Sequence, residues 1–153
     1  MDWFVKAFIK ASLIWLLLGV TLGVAMAAHP AWTVYRTAHL HMLVLGFVTM
    51  MIFGVAYHVI PRFAGTPLYS PVAAGWHCII SNVGLAVMCA GFVMRALARP
   101  GGNFVLASGG TLAAAGAYTF AFVLWRTLSG STVKPSTTAS LQRPATSRGR
   151  PPA

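Results

Sequence analysis

The sequence predicts an all-α integral membrane protein: a four-helix bundle with both termini on the cytoplasmic side, followed by a disordered basic tail. Two compositional facts carry this expectation. Of 153 residues, 58% are hydrophobic and only 8% charged, giving a mean hydropathy of +0.75. A water-soluble domain of this size cannot hide so much apolar surface in one core. Apolar stretches also recur along the chain, each with the roughly 20 residues that a helix rising about 1.5 Å per residue needs to cross a bilayer. Lipid is therefore the expected solvent.

The first segment covers 3–28 and ends at His29-Pro30. Lys6 and Lys10 near its start can snorkel to the interface. A cleaved signal peptide ending at Ala25-Met26-Ala27 is the rival reading of this stretch. Gly19-x-x-x-Gly23 favours a retained helix, because small residues at that spacing form a helix-packing face. The second segment covers 35–60 and is expected to stop at Pro61-Arg62. The third, 72–97, ends before the turn signal Arg99-Pro100-Gly101-Gly102-Asn103. The fourth, 104–128, carries small residues through Ser108-Gly109-Gly110 and Ala113-Ala114-Ala115-Gly116 that permit close helix contact. Residues 129–153 are rich in Ser, Thr, Pro and Arg and nearly bare of large apolar side chains, a composition that predicts disorder.

Charge sets the orientation and narrows the chemistry. Eleven Lys and Arg face a single acid, Asp2, for a formal net charge of +10. With the N-terminus inside, the cytoplasmic face collects Lys6, Lys10, Arg62, Arg126 and the tail, leaving Arg36, Arg95 and Arg99 outside. Trp3, Tyr69, Trp76 and Trp125 would then belt the inner interface, and Trp32 and Tyr35 the outer one. The partner implied by the basic excess is anionic lipid, at about 1 kcal/mol per basic residue near the surface. No nucleic acid is expected, because only a short tail has the electrostatic footprint such binding needs. The lack of Asp and Glu in the hydrophobic region removes carboxylate dyads, Glu-based metal hydrolysis and carboxylate proton relays. Intramembrane chemistry must rest on His, Cys, Met, Tyr or Arg. Cys78 and Cys89 share one helix face about 16 Å apart, too far to bond, and read as small buried apolar residues.

Ionisable groups inside a membrane are functional candidates by default, and the chain has five histidines. His29, His39 and His41 fall toward the outer face; His58 and His77, at adjoining helix ends, fall toward the inner face. Two residues turn a helix by about 200°, so His39 and His41 point to nearly opposite sides. Gly46 lies seven residues beyond His39, within about 20° of its face, and Met42 and Met50 lie near the same stripe. A missing side chain two turns below a ligand lets a flat macrocycle approach the backbone. His41 instead faces Leu45, Val48, Ile52 and Val55.

Arg36-Thr-Ala-His39-Leu-His41, followed by an apolar glycine-containing run and Gly54-Val-Ala-Tyr57-His58-Val-Ile-Pro61-Arg62, resembles the second transmembrane helix of subunit I in the haem-copper oxidase superfamily. The likeness is closest to nitric oxide reductases and cbb-type oxidases. Gly75-Trp76-His77 with Ser81-Asn82-Val83-Gly84 looks like the next helix of that subunit. The resemblance implies a low-spin haem b ligated by His39, which follows Arg36 as the family's outer-facing ligand follows an arginine. His41 stands where the family often has Asn or another polar residue. The resemblance spans roughly residues 1–128, with specific motifs in the second helix only. The later helices that build the family's binuclear centre have no counterpart here.

The functional expectation is therefore a b-type haem protein of the bacterial inner (cytoplasmic) membrane, for electron transfer or as an accessory to a respiratory or nitrogen-oxide reductase system, and not catalytic alone. Cofactor-binding candidates are His39, His41, Gly46, Met42 and Arg36, with His39, or alternatively His41, on the haem iron. His29, a second copy or a partner chain would complete the ligation, so a homo-oligomer or a larger respiratory complex is expected. Gly19, Gly23 and the fourth helix's small residues are the candidate contacts between copies. One alternative is a copper- or zinc-binding membrane protein using His58 and His77 with neighbouring Met and Cys, although Tyr57-His58 and Trp76-His77 equally read as interfacial side chains of the aromatic belt. The other is a haemless structural or assembly subunit of an oxidase complex.

Overall fold

The computed structural model describes residues 1–130. Most of the tail expected to be disordered, 129–153, lies outside the described residues. The described chain is helical, without a strand, and four of its helices are long and apolar enough to cross a membrane. It is thus a multi-pass membrane protein whose outer surface meets lipid. The first span is α1 (Trp3–Ala28). The second, Pro30–Ala64, opens with a 3₁₀ turn (Pro30–Tyr35) and continues as α2 (Arg36–His41), a π-helical segment (Met42–Thr49) and α3 (Met50–Ala64). The third and fourth spans are α4 (Pro71–Ala96) and α5 (Gly102–Ser129).

Helix boundaries follow local chemistry. The Ser70 side chain caps α4, accepting from the Ala73 N–H at 3.2 Å, and Pro71 fills the first helical position, where its missing N–H costs nothing. The second span does not stop at Pro61 as expected from sequence; it runs one turn further, to Ala64. Gly65 ends it in the left-handed region (φ +66°), where the Gly65 N–H donates to the Arg62 carbonyl and the Thr66 N–H to the Pro61 carbonyl. That paired geometry supplies a stop signal stronger than the proline.

The same motif closes α4, with Ala98 N–H donating to Arg95 O at 3.1 Å and Arg99 N–H to Met94 O at 2.8 Å. Here the left-handed position is held by Ala98, at φ +51°. A Cβ makes that conformation costly, so Ala98→Gly is expected to stabilise the fold by about 1 kcal/mol. Denaturant unfolding of the two proteins in the same detergent checks this.

The four spans run up and down. The core lies at the end where α1 and α4 begin and α3 and α5 finish: Phe4, Val5, Phe8, Tyr57, Ala74, Cys78 and Val123 are at most 4% exposed there. α1 is thus built into the core through three of its first six residues. Its remaining faces carry Leu13, Ile14, Leu17, Val20 and Val24 outward, as lipid requires. Trp3, Tyr69, Trp76 and Trp125, the expected inner belt, are exposed near the core end. Both free cysteines are buried.

α4 and α5 form the tightest pair, and glycines on both helices make the approach. A Cβ on Gly84 would sit 2.7 Å from the Ala113 nitrogen, and one on Gly91 would sit 2.6 Å from the Leu106 Cα. Gly109 and Gly116 face α4 in the same way. These residues are therefore consumed inside the chain. Of the contacts expected to join copies, Gly19 and Gly23 are also covered internally, by Leu43 and His39. Gly110 keeps open space beside it.

Candidate functional site

The five histidines occupy three environments. At the end of the bundle formed by the last turns of α1 and the start of α2, His39 leaves its own helix and packs on α1. Its Nδ1–H donates to the Gly19 carbonyl at 2.9 Å. Its Cε1 lies 2.9 Å from where a Gly23 Cβ would be, so only a glycine admits the ring. The Gly19-x-x-x-Gly23 face noted in the sequence is thus the seat of an imidazole. A carbonyl only accepts, so the proton belongs on Nδ1, and the neutral ring keeps its Nε2 lone pair.

His41 is oriented within its own helix, its Nδ1–H donating to the Thr37 carbonyl at 2.8 Å, and its ring lies 4.8 Å from that of Phe92 on α4. It too keeps Nε2 as the basic nitrogen. Arg36, at the first position of α2, is exposed. His29 ends α1 with its ring 5.5 Å from that of Trp32.

Directly after His41 the backbone changes to a π-helix for eight residues. The Thr49 hydroxyl donates to the carbonyl five residues back, Val44, at 2.8 Å. Such segments are rare and concentrate at functional sites. The wider turn also corrects the face arithmetic of the sequence reading, which placed Gly46, Met42 and Met50 on one stripe with His39 at 100° per residue. Gly46 does not open a surface for a macrocycle. Trp15 of α1 fills the notch: a Gly46 Cβ would lie 2.6 Å from the Trp15 Cβ and Cγ, with Leu85 3.0 Å away on the other side. Trp15 is held there by its indole N–H, which donates to the Asn82 side-chain oxygen at 3.1 Å, and Asn82 in turn donates to the Cys78 carbonyl at 2.8 Å. Met50 is buried. Met42 lines an open groove of about 520 Å³ on the lipid side, between α1 and Trp32, whose walls include Ile14, Leu18, Leu22 and Ala25.

At the other end, His58 and His77, the metal pair entertained from sequence, stand in different settings. Arg62 donates from its guanidinium to His58 Nδ1 at 2.8 Å and to the His58 carbonyl, so that ring nitrogen is already committed as an acceptor. His77 is not an interfacial residue of the aromatic belt; it is fully buried. Its ring is enclosed by Phe8, Phe53 and Phe120 at centroid distances of 4.9, 4.6 and 5.7 Å. Its Nδ1 shares a hydrogen bond of 2.9 Å with the Tyr57 hydroxyl, itself 2% exposed. Among the described residues no group of three or more His, Cys, Asp or Glu is arranged to hold a metal ion.

Tyr57 was quoted in the sequence only as a neighbour of His58, and its role as the partner of His77 was missed. Reflection about the turn between α3 and α4 puts both Tyr57 and His58 at the depth of His77. Only the helix face separates them: Tyr57 turns inward to the aromatic cluster, His58 outward to Arg62.

Comparison of the chain with known protein families, curated proteins and solved structures finds no match.

Proposed function

We propose that the protein is a membrane-embedded b-type haem protein, serving electron transfer or supporting a respiratory or nitrogen-oxide reductase system, with His39 as an axial ligand. The observation that carries this reading is the His39 Nδ1–H bond to the Gly19 carbonyl. Metal-ligating histidines almost always spend their second ring nitrogen on such an acceptor, which fixes the ring and raises the basicity of the other nitrogen. The resemblance of the Arg36 to Arg62 stretch to an oxidase subunit I helix points to the same residue. When bound, the haem supplies one-electron redox chemistry. The chain holds the imidazole on α1 through the Gly19 carbonyl, and its part would be axial ligation that tunes the iron's potential.

The interior is too full for a porphyrin, since Trp15 and Leu85 occupy the space beside Gly46. A haem would then lie at the lipid-facing surface; the groove edged by Met42 has apolar walls, and of the candidate site residues only Met42 lines it. A site at that surface would take its second ligand and its far wall from another chain, which is the reason to expect a homo-oligomer or a larger respiratory complex. His41 and His29 are the ligand candidates such an assembly presents. We place the termini in the cytoplasm and the protein in a bacterial inner membrane, from the grouping of Lys6, Lys10, Arg62 and Arg126 at one end.

His39→Ala should abolish the reduced-minus-oxidised haem b spectrum of membranes that contain the protein, whereas His58→Ala, at the other end of the bundle, should leave it intact. Unchanged haem content in the His39 variant refutes the assignment.

A further inference from the structure

α4 closes at Ala96 and α5 opens at Gly102, so the turn between them stands where two apolar spans give way to the headgroup layer. The turn forms an open cleft of about 410 Å³ whose walls include Arg95, Arg99 and Asn103. Its backbone is fixed. The Ala98 and Arg99 N–H groups donate to the Arg95 and Met94 carbonyls, at 3.1 and 2.8 Å, and Gly101 takes the left-handed conformation at φ +79°. Gly102 lets the start of α5 come against the Arg95 stem: a Cβ there would lie 3.1 Å from the Arg95 nitrogen and 3.2 Å from its Cγ.

The charge in this cleft has no protein partner. Arg62 is engaged with His58, and Arg126 lies over the Tyr69 ring, 5.0 Å from its centroid. Among the described residues Arg95 and Arg99 have no comparable contact, and the chain's one acid, Asp2, precedes α1 at the opposite end of the bundle. Nor do they cap α4. Its closing carbonyls are taken by the Leu97, Ala98 and Arg99 N–H groups, the role a basic side chain would otherwise have. Like charges four residues apart repel, and these two share one cleft that supplies no anion.

We propose that this cleft binds the phosphate group of a membrane phospholipid, gripped by the Arg95 and Arg99 guanidiniums with the Asn103 amide beside it. A guanidinium presents a planar fork of donors that matches phosphate oxygens, and the amide adds an N–H. The surroundings favour a lipid over a free anion. Leu97 and Phe104, on either side of the turn, are exposed apolar side chains, which acyl chains cover and a free anion leaves bare. The site stands whether or not the protein carries haem.

Native mass spectrometry tests this on the full chain, held in a non-ionic, phosphate-free detergent and titrated with dioleoyl phosphatidylglycerol. The wild type is expected to retain one such lipid, and Arg95→Gln/Arg99→Gln to bind it about 30-fold more weakly, roughly a factor of five for each guanidinium at an anionic surface. Lys6→Gln/Lys10→Gln, which removes as much charge near the other end, should leave that first binding step unchanged. Equal weakening in the two variants, or none in the arginine one, overturns the proposal. Two competitors separate the sources. Dioleoylglycerol, with the chains but no phosphate, and inorganic phosphate, with the anion but no chains, should each fail to displace the lipid at equal concentration. Displacement by the first would make the cleft an apolar site, displacement by the second would give it to free phosphate, and either result overturns the assignment. Gln keeps the Cγ that packs on Gly102 and loses the repelling charge, so in lipid-free detergent the arginine variant should melt at or above the wild type. A lower melting temperature there marks the guanidiniums as structural and overturns the assignment as well.

Discussion

Gly109→Ala is expected to lower the stability of the bundle by about 2–3 kcal/mol, at the upper part of the range for overpacking a tight interior. The added carbon would collide with the Met88 backbone nitrogen and lie 2.7 Å from the Met88 Cα and 2.8 Å from the Gly84 carbonyl oxygen. None of these is the flexible end of a side chain, so α4 and α5 must separate, and dispersion contacts along their whole length weaken with them. The adjacent substitution, Gly110→Ala, meets nothing within 4 Å and should stabilise by about 0.5–1 kcal/mol through helix propensity alone. Unfolding both variants in one mixed-detergent series makes the test a comparison of sign. A Gly109→Ala protein as stable as the wild type would mean that the two helices are not in backbone contact.

The two glycines also show what was legible in the sequence and what was not. The four spans follow from hydropathy, and their ends fall within a few residues of expectation because Ser70-Pro71 and the Arg99 to Asn103 turn state their chemistry locally. Which face of α5 is buried is a different matter. Gly109 and Gly110 look equivalent in a run of small residues, and were read together as contacts between copies. The spacing of Gly102, Gly109 and Gly116, opposite Gly84 and Gly91, was the available signal, since residues seven apart share a face. The π segment had no such signal. It arises where Trp15 enters the notch at Gly46, a tertiary event between spans, and it shifts every face assignment beyond His41. The seat of His39 lay between: Gly19-x-x-x-Gly23 was visible, but its occupant was an imidazole and not a second helix of the same kind.

Removing the Tyr57 hydroxyl is the second large effect. Tyr57→Phe keeps the ring that packs 5.8 Å from Phe4 and 5.3 Å from Phe120, yet strands His77 Nδ1 in an apolar cluster, at a cost of about 1–3 kcal/mol. His77→Leu strands the hydroxyl instead and costs a similar amount. The double variant loses both partners together, so it should be markedly more stable than the sum of the single losses predicts. Additive losses would show that the pair shares no bond. The sequence placed His77 at the membrane interface or opposite His58, because depth alone was readable. Its true partner depends on which side of α3 turns inward, and aromatic packing around Phe8 and Phe53 decides that.

The proposed cofactor depends on His39 presenting a free nitrogen from a fixed ring at one end of the bundle. The most direct measurement is the optical spectrum of the purified full-length protein in lipid, oxidised and then reduced by dithionite, together with its iron content. The account predicts a coloured protein with a b-type haem difference spectrum and iron in simple proportion to chains. A folded, colourless and iron-free protein, recovered from cells supplied with haem, would contradict it.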